Sequence, residues 1–228
     1  MLDVFNTAKK QGCDIQQFYG PSGAGASNTS CSYTWVKPRG VSHVYMMLIG
    51  AGGAGNATNG GGSGAVTVWY GSAQNVPDIL LVVPACGSAA AASPSTQIRM
   101  YGGTNSITLL QANSAIGNNG GTSTTANQFA NSGFYQSVAG QGGSASVNTA
   151  SATTFLSGGS GPSTNTANYG YVVANNGNGF FQLQPIIVST GGSNGNTAAN
   201  GRGGIGSGAG YAGNGSPSGQ GFVLIASW

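Results

Sequence analysis

The chain has 228 residues, 43 of them glycine, and only six basic and three acidic side chains, for a formal net charge of +3. Glycine at this level without a Gly-X-Y repeat excludes collagen, and three Trp, nine Tyr and eight Phe beside so little charge exclude the usual composition of a disordered chain. The cations are scattered apart from Lys9-Lys10 and the close pair Lys37 and Arg39, so no basic stripe tracks nucleic acid. No apolar run approaches the roughly 20 residues that cross a bilayer, so membrane insertion is not expected either.

Residues 1–22 differ from the rest. They hold Asp3, Lys9, Lys10 and Asp14, and Leu2, Phe5 and Ala8 are spaced to share one face of a short helix. The turn signal Gly20-Pro21-Ser22-Gly23 closes the segment. The expected organisation is an N-terminal attachment arm, 1–22, followed by one β domain, 23–228. The opening lacks the long apolar core of a secretory leader.

From Tyr33 onward strand signals dominate. The run Val41 to Ile49 is apolar on both alternating faces, with Val41, Tyr45, Met47 and Ile49 on one side and Val44, Met46 and Leu48 on the other. Such a strand must be covered twice. Further strands are expected over Ala65 to Tyr70, Ile79 to Val83, Thr96 to Tyr101, Ser106 to Gln111, Tyr169 to Ala174, Pro185 to Ser189 and Phe222 to Ala226. The material between them is Gly, Asn, Ser and Pro, including the hairpin pairs Asn59-Gly60, Asn119-Gly120 and Asn214-Gly215. Many short strands with this punctuation indicate an all-β sandwich or barrel-like domain.

The stretch His43 to Gly55 ends in G-x-G-x-x-G at Gly50, Gly52 and Gly55, the spacing of a dinucleotide fingerprint. That site needs a helix at once and an acidic residue about 20 residues on. Here the continuation is Asn56 to Gly64, rich in glycine, and Val66 to Gly71 carries no acid; Asp78 comes later, ahead of an apolar run rather than after one. No cofactor is expected. Gly50, Gly52, Gly53 and Gly55 are read instead as structural glycines that allow unusual backbone conformation and close backbone approach. Near the end, Gly204, Gly206, Gly208 and Gly210 alternate as in a strand; a glycine-lined polyproline-II-like coil is the other arrangement that would use them.

Several of these stretches resemble one family. Tyr33-Thr34-Trp35-Val36-Lys37-Pro38-Arg39-Gly40-Val41 resembles its entry strand and P-x-G-V turn, Tyr45 to Gly53 its strand running into GAGG, and Gly219 to Trp228 its closing aliphatic strand. This is the glycine-rich β-sandwich domain of bacteriophage tail fibres and related virion appendages. The likeness is best over 31–71 and 201–228 and weaker between, where Val83-Pro84-Ala85-Cys86-Gly87 stands in place of a glycine-rich turn. The resemblance implies a non-enzymatic structural protein of the virion: a fibre, spike or appendage subunit that self-assembles, with a trimer favoured. It would join other virion proteins through the arm and contact the host surface. A capsid decoration (cement) protein and a cell-surface matrix protein or adhesin are the alternatives.

Chemistry is sparsely provided for. His43 is the single histidine and is expected as a hydrogen-bonded residue at a strand end. Asp3, Asp14 and Asp78 are the only carboxylates, two of them in the arm, so paired-carboxylate catalysis is not expected. Cys13, Cys31 and Cys86 make an odd count without metal-ligand spacing, which points to free thiols and no metal. Candidate contacts to a host surface glycan are the rings of Trp69, Tyr70, Tyr101, Tyr135 and Tyr211, which stand beside Gly, Asn and Ser.

Overall fold

A computed structural model describes residues 12–21, 31–55, 61–87, 94–102, 107–124, 128–129, 131–140, 204–206, 208–209 and 218–228. The described residues form nine strands: β1 Asp14–Tyr19, β2 Tyr33–Val36, β3 His43–Ile49, β4 Val66–Ser72, β5 Ile79–Val83, β6 Thr96–Met100, β7 Thr108–Ala112, β8 Phe134–Val138 and β9 Phe222–Ser227. They make two sheets, one ordered β1-β9-β3-β4-β8 and the other β2-β5-β6-β7, with every pairing antiparallel. This is an all-β domain in a sandwich arrangement. The expected strands over Ile79 to Val83, Thr96 to Tyr101 and Phe222 to Ala226 run as β5, β6 and β9; those over Tyr169 to Ala174 and Pro185 to Ser189 lie outside the described residues.

The core follows from the alternation of side chains along each strand. Val44, Met46 and Leu48 of β3, Trp69 of β4 and Val223 and Ile225 of β9 face Trp35, Leu80, Val82, Ile98 and Leu110 of the second sheet in one buried cluster. The alternate residues Tyr45, Met47 and Ile49 join Val66, Val68, Phe222 and Leu224 in a second buried cluster on the opposite face of the five-stranded sheet. β3 is therefore covered on both faces, as its unbroken apolar run requires. Val41 departs from the expected alternation. It precedes β3 and packs on the first cluster.

The sheet extends into the segment expected as an arm. Residues 14–19 form the edge strand β1, paired with β9 from Asp14↔Ser227 to Tyr19↔Phe222. Phe18 packs into the core with its ring tilted against that of Tyr33 at 5.6 Å, while Tyr19 lies 5.1 Å from Phe222. This part of the chain belongs to the sandwich, because alternating Gln16/Phe18 and Ile15/Gln17/Tyr19 satisfies a strand that β9 leaves open. Leu2, Phe5 and Ala8 lie outside the described residues.

The three cysteines are free thiols, with Cys13 and Cys31 exposed and Cys86 buried. Burial pushes the Cys86 thiol above its ordinary range, which suppresses the reactive thiolate. Native protein should present two thiols per chain that react quickly with a disulfide reagent and a third that reacts only on unfolding. Three equally fast thiols in the native state would contradict this burial.

Candidate functional site

The glycine-rich segments meet beyond the ends of β3, β4 and β9. Gly50 and Gly53 donate backbone hydrogen bonds to Ala65 and Gly62 at 2.8 Å each. Gly61 and Gly64 donate to Ala209 and Gly206 at 2.8 and 2.9 Å, and Gly62 and Ala65 to Gly117 and Asn113 at 3.0 and 2.8 Å. Donors three residues apart thus address the same neighbour, and the intervening residues address others: Gly52 donates to Gly219 at 3.0 Å, and Ala51 accepts from Ala115 at 2.9 Å. A three-residue repeat is that of a polyproline-II-like coil, not of a strand, whose repeat is two. None of the segments 50–55, 61–65 and 204–206 is strand, and Gly206 sits in a turn with φ 67°, which neither a strand nor a polyproline-II coil adopts, so the alternating glycines follow neither arrangement at that point.

Close approach explains why these positions are glycine. A Cβ on Gly50 would overlap the carbonyl of Asn113, one on Gly53 that of Gly117, one on Gly64 that of Gly50, and one on Gly208 that of Gly61. The obstacles are backbone atoms, which cannot rotate aside. Left-handed backbone occurs elsewhere, at Gly40 with φ 81° in the turn before β3 and at Gly206 with φ 67°; Gly50, Gly52, Gly53 and Gly55 are not among the positive-φ glycines. At Gly50 and Gly53 it is the close backbone approach, not an unusual conformation, that excludes a side chain. Gly52 and Gly55 are also buried.

The same hydrogen bonds bear on the dinucleotide reading. Amides of Gly50, Gly52 and Gly53 donate within the protein, and that of Ala51 donates to Ser114 Oγ at 3.0 Å. A phosphate cradle needs those donors free. Millimolar NAD or ATP should leave the melting temperature unchanged, whereas a ligand at a hundredfold excess over its dissociation constant would add about 2.7 kcal/mol. A thermal shift that Gly53→Ala removes would restore a nucleotide site.

The candidate glycan rings do not converge. Trp69 is fully buried on the core face of β4, where Nε1 donates to the Phe129 carbonyl at 3.0 Å and the ring packs 5.0 Å from Phe129. As a ligand contact it is corrected: it is a core anchor. Tyr135 is its cross-strand partner on β8, half-buried against the same core, with its hydroxyl donating to the Thr124 carbonyl at 2.5 Å. Tyr70 projects from the other face of the five-stranded sheet. Its ring lies 5.7 Å from His43 and 5.8 Å from Trp228, with all three planes within 20° of one another. Tyr101 stands at the end of β6 in the second sheet, 56% exposed, and Tyr211 lies outside the described residues.

Sequence inspection alone does not bring His43 and Trp228 to Tyr70. Pairing does: β3 lies between β4 and β9, and Trp228 is pinned to His43 by backbone bonds of 3.0 and 3.2 Å. Ser42 Oγ lies 3.0 Å from His43 Nδ1, so His43 is a hydrogen-bonded residue at a strand start. The result is a half-exposed aromatic cluster on a rigid sheet.

A cleft of about 420 Å³ opens between residues 36–41 and 73–79. Lys37 organises it. Its ammonium donates to the carbonyls of Ala73 and Val76 at 3.1 and 2.8 Å and pairs with Asp78 at 2.8 Å. Three acceptors saturate an ammonium, so Lys37 fixes the 3-10 turn Ala73–Asn75 against the Pro38-Gly40 turn rather than offering charge to a ligand. No family model and no curated protein matches this chain.

Proposed function

We propose that the chain is a non-enzymatic structural subunit of a virion appendage, a glycine-rich β-sandwich protein that self-assembles and contacts the host surface. The observation that carries this reading is the lattice of glycine coils continuing from the sandwich. Its cohesion comes from backbone hydrogen bonds and close backbone contact rather than from side chains. The low charge adds support, since a nearly uncharged surface suits a subunit surrounded by neighbours better than a free monomer. The resemblance of the Tyr33 to Val41, Tyr45 to Gly53 and Gly219 to Trp228 stretches to phage fibre domains points the same way. Residues 1–11 are assigned to attachment within the particle, and the His43, Tyr70 and Trp228 cluster to saccharide contact, because flat half-exposed rings hold the apolar faces of sugars.

Proteomics of purified particles and gold labelling with an antibody to this chain test the assignment. A few copies at the tail or vertices are expected. Label at every capsomer junction would favour a cement protein, and label on uninfected cells a surface matrix protein or adhesin; either result overturns the appendage reading.

A further inference from the structure

One end of the four-stranded sheet carries exposed apolar side chains on its outer face. Val36 of β2 pairs with Ile79 of β5, and they are 59% and 41% exposed. β6 lies next to β5 with Met100 opposite the buried Leu80, so Met100 shares the core-facing side, and the next residue, Tyr101 at 56% exposed, falls on the side of Val36 and Ile79. This outer patch therefore crosses β2, β5 and the end of β6. Val36, Ile79 and Tyr101 left in water together are a cost that a monomer does not need to bear, and such patches mark interaction surfaces.

Charge gathers at the same place. Lys37, Arg39 and Asp78 are three of only nine charged residues in the chain, and all stand on the cleft that borders Val36 and Ile79. Asp78 remains 86% exposed although Lys37 holds one of its oxygens, so its carboxylate has room for a second cation. Arg39 is exposed at the rim of the same cleft. The surface thus presents an anion and a cation side by side around an apolar strip, which makes it complementary to itself.

We propose that this end of the four-stranded sheet, centred on Val36, Ile79 and Tyr101, is the interface that joins copies of this chain, with Arg39 of one copy meeting Asp78 of the next. The proposal rests on the reading of the chain as a self-assembling subunit and names the surface responsible. It gives Tyr101 a subunit contact in place of a sugar contact.

Native mass and light scattering of the full chain at about 10–100 μM test it. Wild type should be a dimer or higher closed oligomer. Val36→Lys, Ile79→Lys, Tyr101→Lys and Arg39→Glu should each weaken association at least tenfold while keeping the wild-type melting curve of the monomer. Ile116→Lys, an equally exposed apolar site at 58% on the glycine lattice, should leave the mass unchanged. Amide exchange of wild type supplies a test without substitution: segments 36–39, 78–79 and 100–102 should be protected as concentration rises. An oligomer that withstands all four substitutions, without concentration-dependent protection there, overturns this surface and leaves the appendage reading standing. A wild-type monomer at 100 μM removes both the surface and the self-assembly. Variants that keep the wild-type mass but fail to enter particles would show that another virion protein occupies the patch, which also overturns the proposal.

Discussion

Gly64→Ala is expected to cost on the order of 3 kcal/mol and to lower the melting temperature by about 10 °C, a large effect for one methyl group. The new Cβ would overlap the carbonyl oxygen of Gly50, with the Ala51 carbonyl also close. Overpacking usually costs about 1–3 kcal/mol because side chains shift to make room. Here the neighbours are main chain, and any shift also disturbs the bonds from Gly64 to Gly206 and from Gly50 to Ala65, each worth about 1 kcal/mol. Gly208→Ala should match it, because its Cβ meets the backbone of Gly61. Gly40→Ala is the contrast: nothing lies within 4 Å of its Cβ, and only its φ of 81° opposes a side chain. That substitution should cost about 1–2 kcal/mol. Calorimetry or chemical denaturation of the three variants decides the matter by their order. Equal losses at Gly40 and Gly64 would mean that conformation, not packing, selects glycine here.

The legible part of this fold was its interior. A strand apolar on both faces, such as Val44 to Ile49, has nowhere to lie except between two layers, and Ile79 to Val83 and Phe222 to Ala226 announce themselves by the same aliphatic density. β1 and β8 were hidden because they are edge strands. Among the described residues each is paired on one side only, so Asp14–Tyr19 and Phe134–Val138 tolerate Gln, Ser and Tyr that weaken a hydrophobic signal. The glycine lattice was half legible. Abundance and alternation of glycine announced close backbone contact, but the repeat of three is written in hydrogen bonds between distant segments, such as Gly62 to Gly117, rather than in spacing along one segment. The candidate site was least legible of all. Trp69 and Tyr70 are adjacent in sequence and look alike, yet alternation sends one into the core and the other to the opposite face. His43, Tyr70 and Trp228 meet because β3 separates two strands more than a hundred residues apart, which no local pattern announces.

The edge position of β1 also decides how the attachment segment must be tested. Deleting residues 1–20 should abolish accumulation of soluble folded protein, because it removes a structural strand along with any attachment function. β9 would lose its β1 partner from Asp14↔Ser227 to Tyr19↔Phe222, along with the bond from the Gly20 amide to the Gly221 carbonyl at 3.0 Å, and keep only β3. A ladder of that length contributes on the order of 5 kcal/mol, comparable with the whole stability of many domains. Phe18 would leave the core and expose Tyr33, worth about 1.5–3 kcal/mol more. The bared β9, whose six residues are all buried, would become an apolar edge ready to pair with another chain. Deleting residues 1–11 keeps β1 whole and should give a folded domain with the wild-type thiol pattern, in which Cys86 stays protected. If these residues attach the subunit, the shorter deletion is made in normal amounts but is missing from particles. Normal incorporation of the 12–228 protein would place the attachment surface on the sandwich itself, and a soluble, cooperatively melting 21–228 protein would show that β1 is dispensable to the sheet.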